Sequence, residues 1–310
     1  MAALRITAFA PPTTDLTQCI GRTPLLPIRG WEGIPEEVAI LGKAEWFNPG
    51  GSVKDRPAWE IIRAAEASGE LDQGRGLLDA TSGNTGIGYA WIGAKRGHRV
   101  TLCVPANAGA ERLRLLRALG AELVLSDPME GTDGAIREAR GLDEAHPGRY
   151  FYADQYANPA NWRAHYHGTA EEIWRQTEGR VSHLVAGIGT SGTLVGTARR
   201  LRELNPDREA IAVQPDSPYH VLEGLKHLAT ARTPAIYDPT VHQRTIEVTS
   251  DEAIAMAKDQ ARRGLALGWS AGAALVAARR VARGITRGVV VAILPDGADR
   301  YLSDPLWSEA

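Results

Sequence analysis

Short runs rich in Val, Ile and Leu alternate along this chain with longer segments of helical spacing, and that alternation constrains the fold more than any other feature. The strand-like runs are Val38–Leu41, Val100–Val104, Glu122–Leu125, His183–Ala186, Ile211–Gln214 and Val289–Leu294. Helical spacing predicts helices over Pro57–Ala67, Ile87–Arg96, Glu111–Leu119, Gly134–Glu144, Trp162–Gln176, Leu194–Leu204, Glu252–Arg263 and Gly272–Ala282. Strands alternating with helices build βαβ units on a mainly parallel sheet, so the expected class is α/β. Ligands in such folds collect where loops leave the carboxyl ends of the strands. Several of those loops are rich in Gly, Ser and Thr. A chain of 310 residues can form one large domain or two ordinary ones. With no repeat or low-complexity linker, two closely packed lobes are expected.

Composition narrows the function classes. Hydrophobic residues are 44% and charged residues 23%, which excludes a disordered, collagen-like or disulfide-stapled chain. A net charge of −2 leaves no electrostatic footprint for nucleic acid or a membrane surface. The longest apolar stretch, Val289–Leu294, is too short to span a bilayer. Met1 to Pro12 carries Arg5 and no continuous apolar run, unlike a signal peptide. Of the two cysteines, Cys103 reads as a buried small hydrophobe. A disulfide with Cys19 stays open, but so low a count fits a reducing cytosol, so a cytoplasmic location is expected. Lysine occurs only at positions 43, 54, 95, 226 and 258, which leaves 30 of the 35 basic residues as arginine.

Lys54 stands in Asn48-Pro49-Gly50-Gly51-Ser52-Val53-Lys54-Asp55-Arg56-Pro57. Pro-Gly-Gly is turn chemistry that lets backbone approach a ligand. Ser52 suits an N-cap, and Asp55 and Pro57 suit a first helical turn. Lys54 at the positive end of that helix would deprotonate easily, as Schiff-base chemistry requires, unless it is simply a solvated lysine. Walker A is absent, because no Gly-Lys-Ser/Thr occurs.

Two further loops offer anion-binding chemistry. Thr81-Ser82-Gly83-Asn84-Thr85-Gly86 precedes a helix and reads as either a carboxylate or phosphate cradle or an ordinary capping turn. Gly187-Ile188-Gly189-Thr190-Ser191-Gly192-Thr193 matches G-x-G-x-x-G, with Asp207 and Glu209 about twenty residues on, the pattern of a dinucleotide loop. Its three hydroxyls suit a terminal phosphate dianion better than a bridging pyrophosphate, and neither acid clearly ends the next strand. The loop therefore reads as a monophosphate cup, and an NAD-dependent oxidoreductase is the remoter reading.

These three loops, in this order and spacing, resemble the cysteine synthase family of pyridoxal-phosphate enzymes, the fold-type II group that also holds cystathionine β-synthase. The resemblance runs from Ile20-Gly21-Arg22-Thr23-Pro24-Leu25 to Arg300-Tyr301-Leu302-Ser303. It implies two lobes, each a mainly parallel twisted sheet flanked by helices. Residues 43–152 would be the smaller, mobile lobe, and 1–42 with 153–310 the larger lobe that holds the cofactor phosphate. Residue by residue, it assigns Lys54 as the Schiff-base lysine and Asn84 as the partner of the cofactor's ring hydroxyl. Gly189, Thr190, Ser191, Gly192 and Thr193 would bind the phosphate. Thr81, Ser82, Thr85 and Gln155 would take the substrate carboxylate. Ser270, in Gly268-Trp269-Ser270-Ala271-Gly272, would face the pyridine nitrogen; read bare, it is a helix N-cap. A hydroxyl there suits β-elimination and β-replacement, whereas a carboxylate would hold a pyridinium.

The implied enzyme makes L-cysteine from an O-activated L-serine, O-acetylserine for preference, and sulfide or thiosulfate. Lys54 would act as general base at Cα and later return the proton. Closure of the smaller lobe on the substrate carboxylate would exclude water. Lys54-Asp55-Arg56-Pro57-Ala58 and Glu223-Gly224-Leu225-Lys226-His227, followed by Pro234-Ala235-Ile236-Tyr237-Asp238, resemble the cysteine synthase B branch. There Lys226 would attract an anionic donor or a phosphate leaving group, so an O-phosphoserine sulfhydrylase or a cystathionine β-synthase-like enzyme is the alternative. A homodimer is implied by the resemblance alone.

Other features read as structure. His165 and His167 point to different helix faces and lack a third ligand, so no metal is expected. Trp162, Tyr166 and Trp174 form a core-facing or dimer-facing stripe. Arg112, Arg114 and Arg117 make a charged helix face. Asp296 and Tyr301 are expected to shape the pocket.

Overall fold

A computed structural model describes residues 15–72, 74–81 and 83–307. The elements in chain order are β1 (Leu25–Pro27), β2 (Val38–Ala44), α1 (Asp55–Ser68), β3 (Gly76–Ala80), α2 (Asn84–Arg96), β4 (Val100–Pro105), α3 (Ala110–Ala118), β5 (Glu122–Ser126), α4 (Gly131–Ala145) and β6 (Tyr150–Tyr152). They continue with α5 (Pro159–Ala164), a π turn (His165–Thr169), α6 (Ala170–Gln176), β7 (Val181–Gly187), α7 (Gly192–Leu204), β8 (Glu209–Pro215), β9 (Arg244–Val248), α8 (Ser250–Arg262), α9 (Trp269–Arg283) and β10 (Gly288–Leu294). The expected α/β alternation is there. Four strands go beyond the expected set: β1, β3, β6 and β9.

The strands form two sheets. One has the order β5-β4-β3-β6 and is wholly parallel. The other has the order β1-β2-β10-β7-β8-β9 and is parallel except for the β1–β2 pair. Each sheet is covered on both faces, which is why its central strands are apolar throughout rather than alternating. In the smaller sheet, Ile61, Ile62, Tyr89 and Ile92 of α1 and α2 pack with Leu77 and Leu102, while Ala135 and Ile136 of α4 cover Leu78 and Cys103 opposite. In the larger sheet, the alanine-rich α9 packs with α8 on one face, and α6 and α7 pack on the other. Parallel pairing puts the carboxyl ends of the strands in each sheet on one side, and the three loops leave from those ends.

Local chemistry accounts for the helix ends. Thr249 and Glu252 form a reciprocal capping box at the start of α8. Gly69 ends α1 at φ +78°, a left-handed conformation that glycine adopts without strain. Three expectations are corrected here. The N-cap of α1 is Lys54, not Ser52, because Ser52 is paired in a β-bridge with Asp296 two residues upstream. Ser270 is the second residue of α9, whose cap is Gly268. Arg112 leaves the exposed face of α3 and is buried in an ion pair with Glu223, while Arg114 and Arg117 stay exposed. Cys103 is buried, and both cysteines are free.

Candidate active site

One cavity, partly open to solvent, lies between the carboxyl ends of the two sheets. Its walls bring together Lys54, Thr81, Asn84, Thr85, Gln155, Gly189, Thr190, Ser191, Thr193 and Ser270. Gly192 opens α7 just behind the phosphate-type loop. Ser82 lies outside the described residues.

Lys54 enters from the turn before α1. The Val53 amide donates to the Pro295 carbonyl at 2.8 Å, which fastens that turn to the loop after β10. Burial pushes the Lys54 ammonium below its ordinary pKa, and the negative charges of Asp296 and Glu45 oppose the shift. The expected direction is therefore met, with desolvation as the leading cause.

The turn is braced from below by charges taken almost wholly out of water. Arg56, the second residue of α1, meets Glu45 at 2.7 Å and Glu172 at 2.8 Å, and Lys43 also meets Glu172 at 2.7 Å. Lys43 and Glu45 are fully buried. These two cations and two carboxylates balance, as buried charge must.

On the smaller sheet's side, Thr81 Oγ1 accepts the amides of Gly83 and Gly86 at 3.1 Å, which shapes the loop entering α2. Thr85 Oγ1 donates to Gln155 Oε1 at 2.7 Å, and Gln155 Nε2 donates to the Ala80 carbonyl at 2.8 Å. Thr85 and Gln155, called for the same carboxylate from distant segments, are thus in direct contact. Arg112 reaches from α3 to Glu223 at 2.8 Å, linking this side to the loop that ends the opposite wall.

On the larger sheet's side, the Gly187–Thr193 loop follows β7 and runs into α7. A side chain at Gly189 would meet the Gly224 carbonyl, and one at Gly187 would meet Leu225, so both glycines permit close packing of the 223–226 loop. Ser191 holds a left-handed φ of +70°. Of the two acids that could serve a dinucleotide loop, Asp207 lies in the turn before β8, and Glu209 begins that strand instead of ending it and pairs with Arg244. That removes the ribose partner on which the dinucleotide pattern depends.

The residues fit a pyridoxal phosphate cofactor by what they leave unsatisfied. Asn84 Nδ2 donates to Asp296 Oδ2 at 2.7 Å, and Asn84 Oδ1 stays buried without a partner, an acceptor open to a ring hydroxyl. Ser191 Oγ and Asp296 Oδ1 are likewise buried without partners. Buried orphans of this kind mark a place where a polar ligand completes the network. Among the described residues, no cluster of His, Cys, Asp or Glu is arranged to hold a metal.

Sequence reasoning missed Arg112, Glu223, Thr132 and Tyr156, all at or beside the cavity. Glu223 lies in the Glu223–His227 segment that resembles the B branch, but no local signal gives any of the four a role at the site. The arginine-rich sequence of α3 concealed Arg112, and only the packing of the two sheets brings it to Glu223.

The family described as pyridoxal-phosphate dependent enzyme matches residues 16–296. The chain is 47% identical over 301 residues to a cysteine synthase of Aquifex aeolicus, covering 95% of this chain and 92% of that one. It is 39% identical over 293 residues to cysteine synthase B of Pseudomonas aeruginosa, covering 94% and 97%. Its structure is similar to that of a cysteine synthase from Entamoeba histolytica with a TM-score of 0.92, at 34% identity and covering 100% and 94% of the two chains.

Proposed function

The chain belongs to the family of pyridoxal-phosphate dependent enzymes, and on that premise we propose that it makes L-cysteine by β-replacement. O-acetyl-L-serine is the activated substrate and sulfide or thiosulfate the sulfur donor. The observation that carries this reading is that one cavity joins Lys54 to both hydroxyl-rich loops.

Pyridoxal phosphate, when bound, supplies the electron sink that makes the Cα proton of an amino acid labile and lets a β-substituent leave. The chain's own residues would do the rest. Gly189, Thr190, Ser191, Gly192 and Thr193 hold the phosphate, Asn84 takes the ring hydroxyl, and Lys54 holds the cofactor between turnovers. Lys54 would take the Cα proton on Nζ as general base and return it after the sulfur nucleophile adds at Cβ. Burial favours the neutral amine that this base must be. Ser270 places a neutral hydroxyl in the cavity from the first turn of α9. The positive end of that helix adds to the preference for an unprotonated ring nitrogen, which favours β-replacement over transamination. Thr81, Ser82, Thr85 and Gln155 bind the substrate carboxylate. Arg112 and Glu223 then hold the smaller lobe against the larger while water is excluded; of the expected span 43–152, Lys43 and Ala44 instead end β2 in the larger sheet.

Purified protein is expected to be yellow. Borohydride should bleach it and attach the cofactor to Lys54, and Lys54→Ala should abolish the labelling. A colourless protein unaffected by added pyridoxal phosphate overturns the reading.

Lys226 favours a second reading, in which the β-substituent or the donor is an anion. It lines the cavity with its amine 5.2 Å from the Tyr156 ring centroid and 3.5 Å from Asp133. Lys226→Gln should raise the KM for O-phosphoserine and leave that for O-acetylserine unchanged. A cytoplasmic homodimer belongs to the same proposal. Both cysteines are free and, among the described residues, no helix is long and apolar enough to cross a membrane. Light scattering measures the oligomer.

A further inference from the structure

The helix expected over Trp162–Gln176 is interrupted by a π turn at His165–Thr169. Such turns recur at functional sites, and this one lies directly behind the phosphate-type loop. Two glycines of α7 let the segment approach. A side chain at Gly192 would meet Asn161 Oδ1, and one at Gly196 would meet the Trp162 carbonyl.

The contact delivers two polar side chains to two loop threonines. Asn161 is 1% exposed, and its Nδ2 lies 2.7 Å from the Gln155 carbonyl and 3.2 Å from Thr190 Oγ1. A carbonyl oxygen only accepts, so the shared atom is the amide nitrogen, and it donates to Thr190. The Gly192 amide donates to the same Oγ1 at 3.4 Å. His165 is also 1% exposed, with Nε2 3.2 Å from Thr193 Oγ1 and Nδ1 2.9 Å from Thr169 Oγ1. Burial, aided by the charges of Arg56 and Lys54, pushes its pKa well below the usual value and keeps the ring neutral, so one nitrogen donates and the other accepts.

We propose that Asn161 and His165 are positioning residues that set the polarity of the phosphate loop: each donates to a threonine oxygen, leaving both hydroxyl hydrogens free to point at the anion. For His165 this means that Thr169 donates to Nδ1, the proton sits on Nε2, and Nε2–H donates to Thr193. A loop of committed donors favours a phosphate dianion, which offers only acceptors. The inference rests on the pyridoxal phosphate reading and adds the residues that tune its phosphate site.

The test compares ligands with and without the phosphate. Full-length protein stripped of cofactor is titrated with pyridoxal phosphate and with pyridoxal, for wild type, His165→Phe, Thr193→Val and the double variant, with folding checked by circular dichroism. His165→Phe and Thr193→Val should each weaken pyridoxal phosphate relative to pyridoxal by roughly tenfold, the scale of one charge-assisted hydrogen bond. The double variant should lose no more than either single one. Equal weakening of both ligands, no change in their ratio, or additive losses in the double variant overturns the proposal. If His165→Phe does not fold, His165→Asn is read the same way. Wild type that binds neither ligand would bring down the cofactor reading itself, whereas binding with an unchanged ratio overturns this inference alone.

Discussion

Asn84 and Asp296 stand 212 residues apart in the chain and share a 2.7 Å hydrogen bond across the cavity. Asp296 Oδ2 also accepts from the Tyr301 hydroxyl at 2.6 Å. The first turn of α2, on the smaller sheet, is thereby tied to the loop after β10, on the larger. The same carboxylate faces Lys54 and favours its charged form. Asp296 thus both holds the walls and holds back the deprotonation of the lysine.

Asp296→Asn should separate those two effects. An amide oxygen still accepts from Asn84 and Tyr301, while the charge opposing Lys54 deprotonation is gone. The Lys54 pKa should fall further, so the pH midpoint for its reaction with added pyridoxal phosphate should move down. Absorbance titration of cofactor-stripped protein measures this; an unchanged or raised midpoint contradicts it.

The charge cluster under Lys54 should be strongly stabilising as a set. Glu172→Ala leaves fully buried Lys43 without its carboxylate and Arg56 with only Glu45. Stranding buried charge in this way costs about 3–5 kcal/mol. Urea unfolding of the variant at neutral pH should show a loss of that size, and a loss below about 1 kcal/mol, the scale of a surface pair, would contradict it.

Asp79 should give a stability term that opposes rising pH. It is fully buried at the end of β3, accepting from the Ala80 and Gln155 amides, and burial raises its pKa to about 7 from 3.8. The native state then holds a proton that the unfolded chain releases, so stability falls as pH rises from about 4 to about 7. Asp79→Asn lacks this dependence. Whatever its offset, it should gain on wild type across that window by up to about 4 kcal/mol, at 1.36 kcal/mol per unit. Urea titrations at pH 5 and pH 8 compare the two, and a constant difference would refute the assignment.

Gly189→Ala should weaken cofactor retention without removing any bonding group. The added methyl meets the Gly224 carbonyl, so the 223–226 loop must move off the phosphate cup. Overpacking of this kind costs about 1–3 kcal/mol, roughly a 5- to 150-fold loss of affinity if it falls on the bound state. Cofactor content after dialysis, read by absorbance, checks it; full retention would contradict it.

The strands that escaped sequence reading each lack a local signal, for different reasons. β1 and β6 are three residues each, too short for a period to register. β3 reads Gly-Leu-Leu-Asp-Ala, with no β-branched residue, and is a strand because it lies between β4 and β6. β9 is an edge strand whose Arg and Glu face solvent. The π turn was equally illegible. It follows from the fit of Gly192 and Gly196 against α5, and no periodicity in Trp162–Gln176 announces it.

By itself the sequence determined the βα alternation, the three loops and the residue types within them, because periodicity and turn chemistry act over a few neighbouring residues. Lys54 is one of only five lysines, and arginine, always charged, could not take its place in Schiff-base chemistry. Tertiary structure alone decided that the loops meet in one cavity, that Asn84 and Arg112 find Asp296 and Glu223, and that burial more than a helix end lowers the Lys54 pKa. The reason is physical: desolvation and charge pairing depend on what surrounds an atom in space. Here those neighbours arrive from both sheets, at the shared side where their parallel strands end.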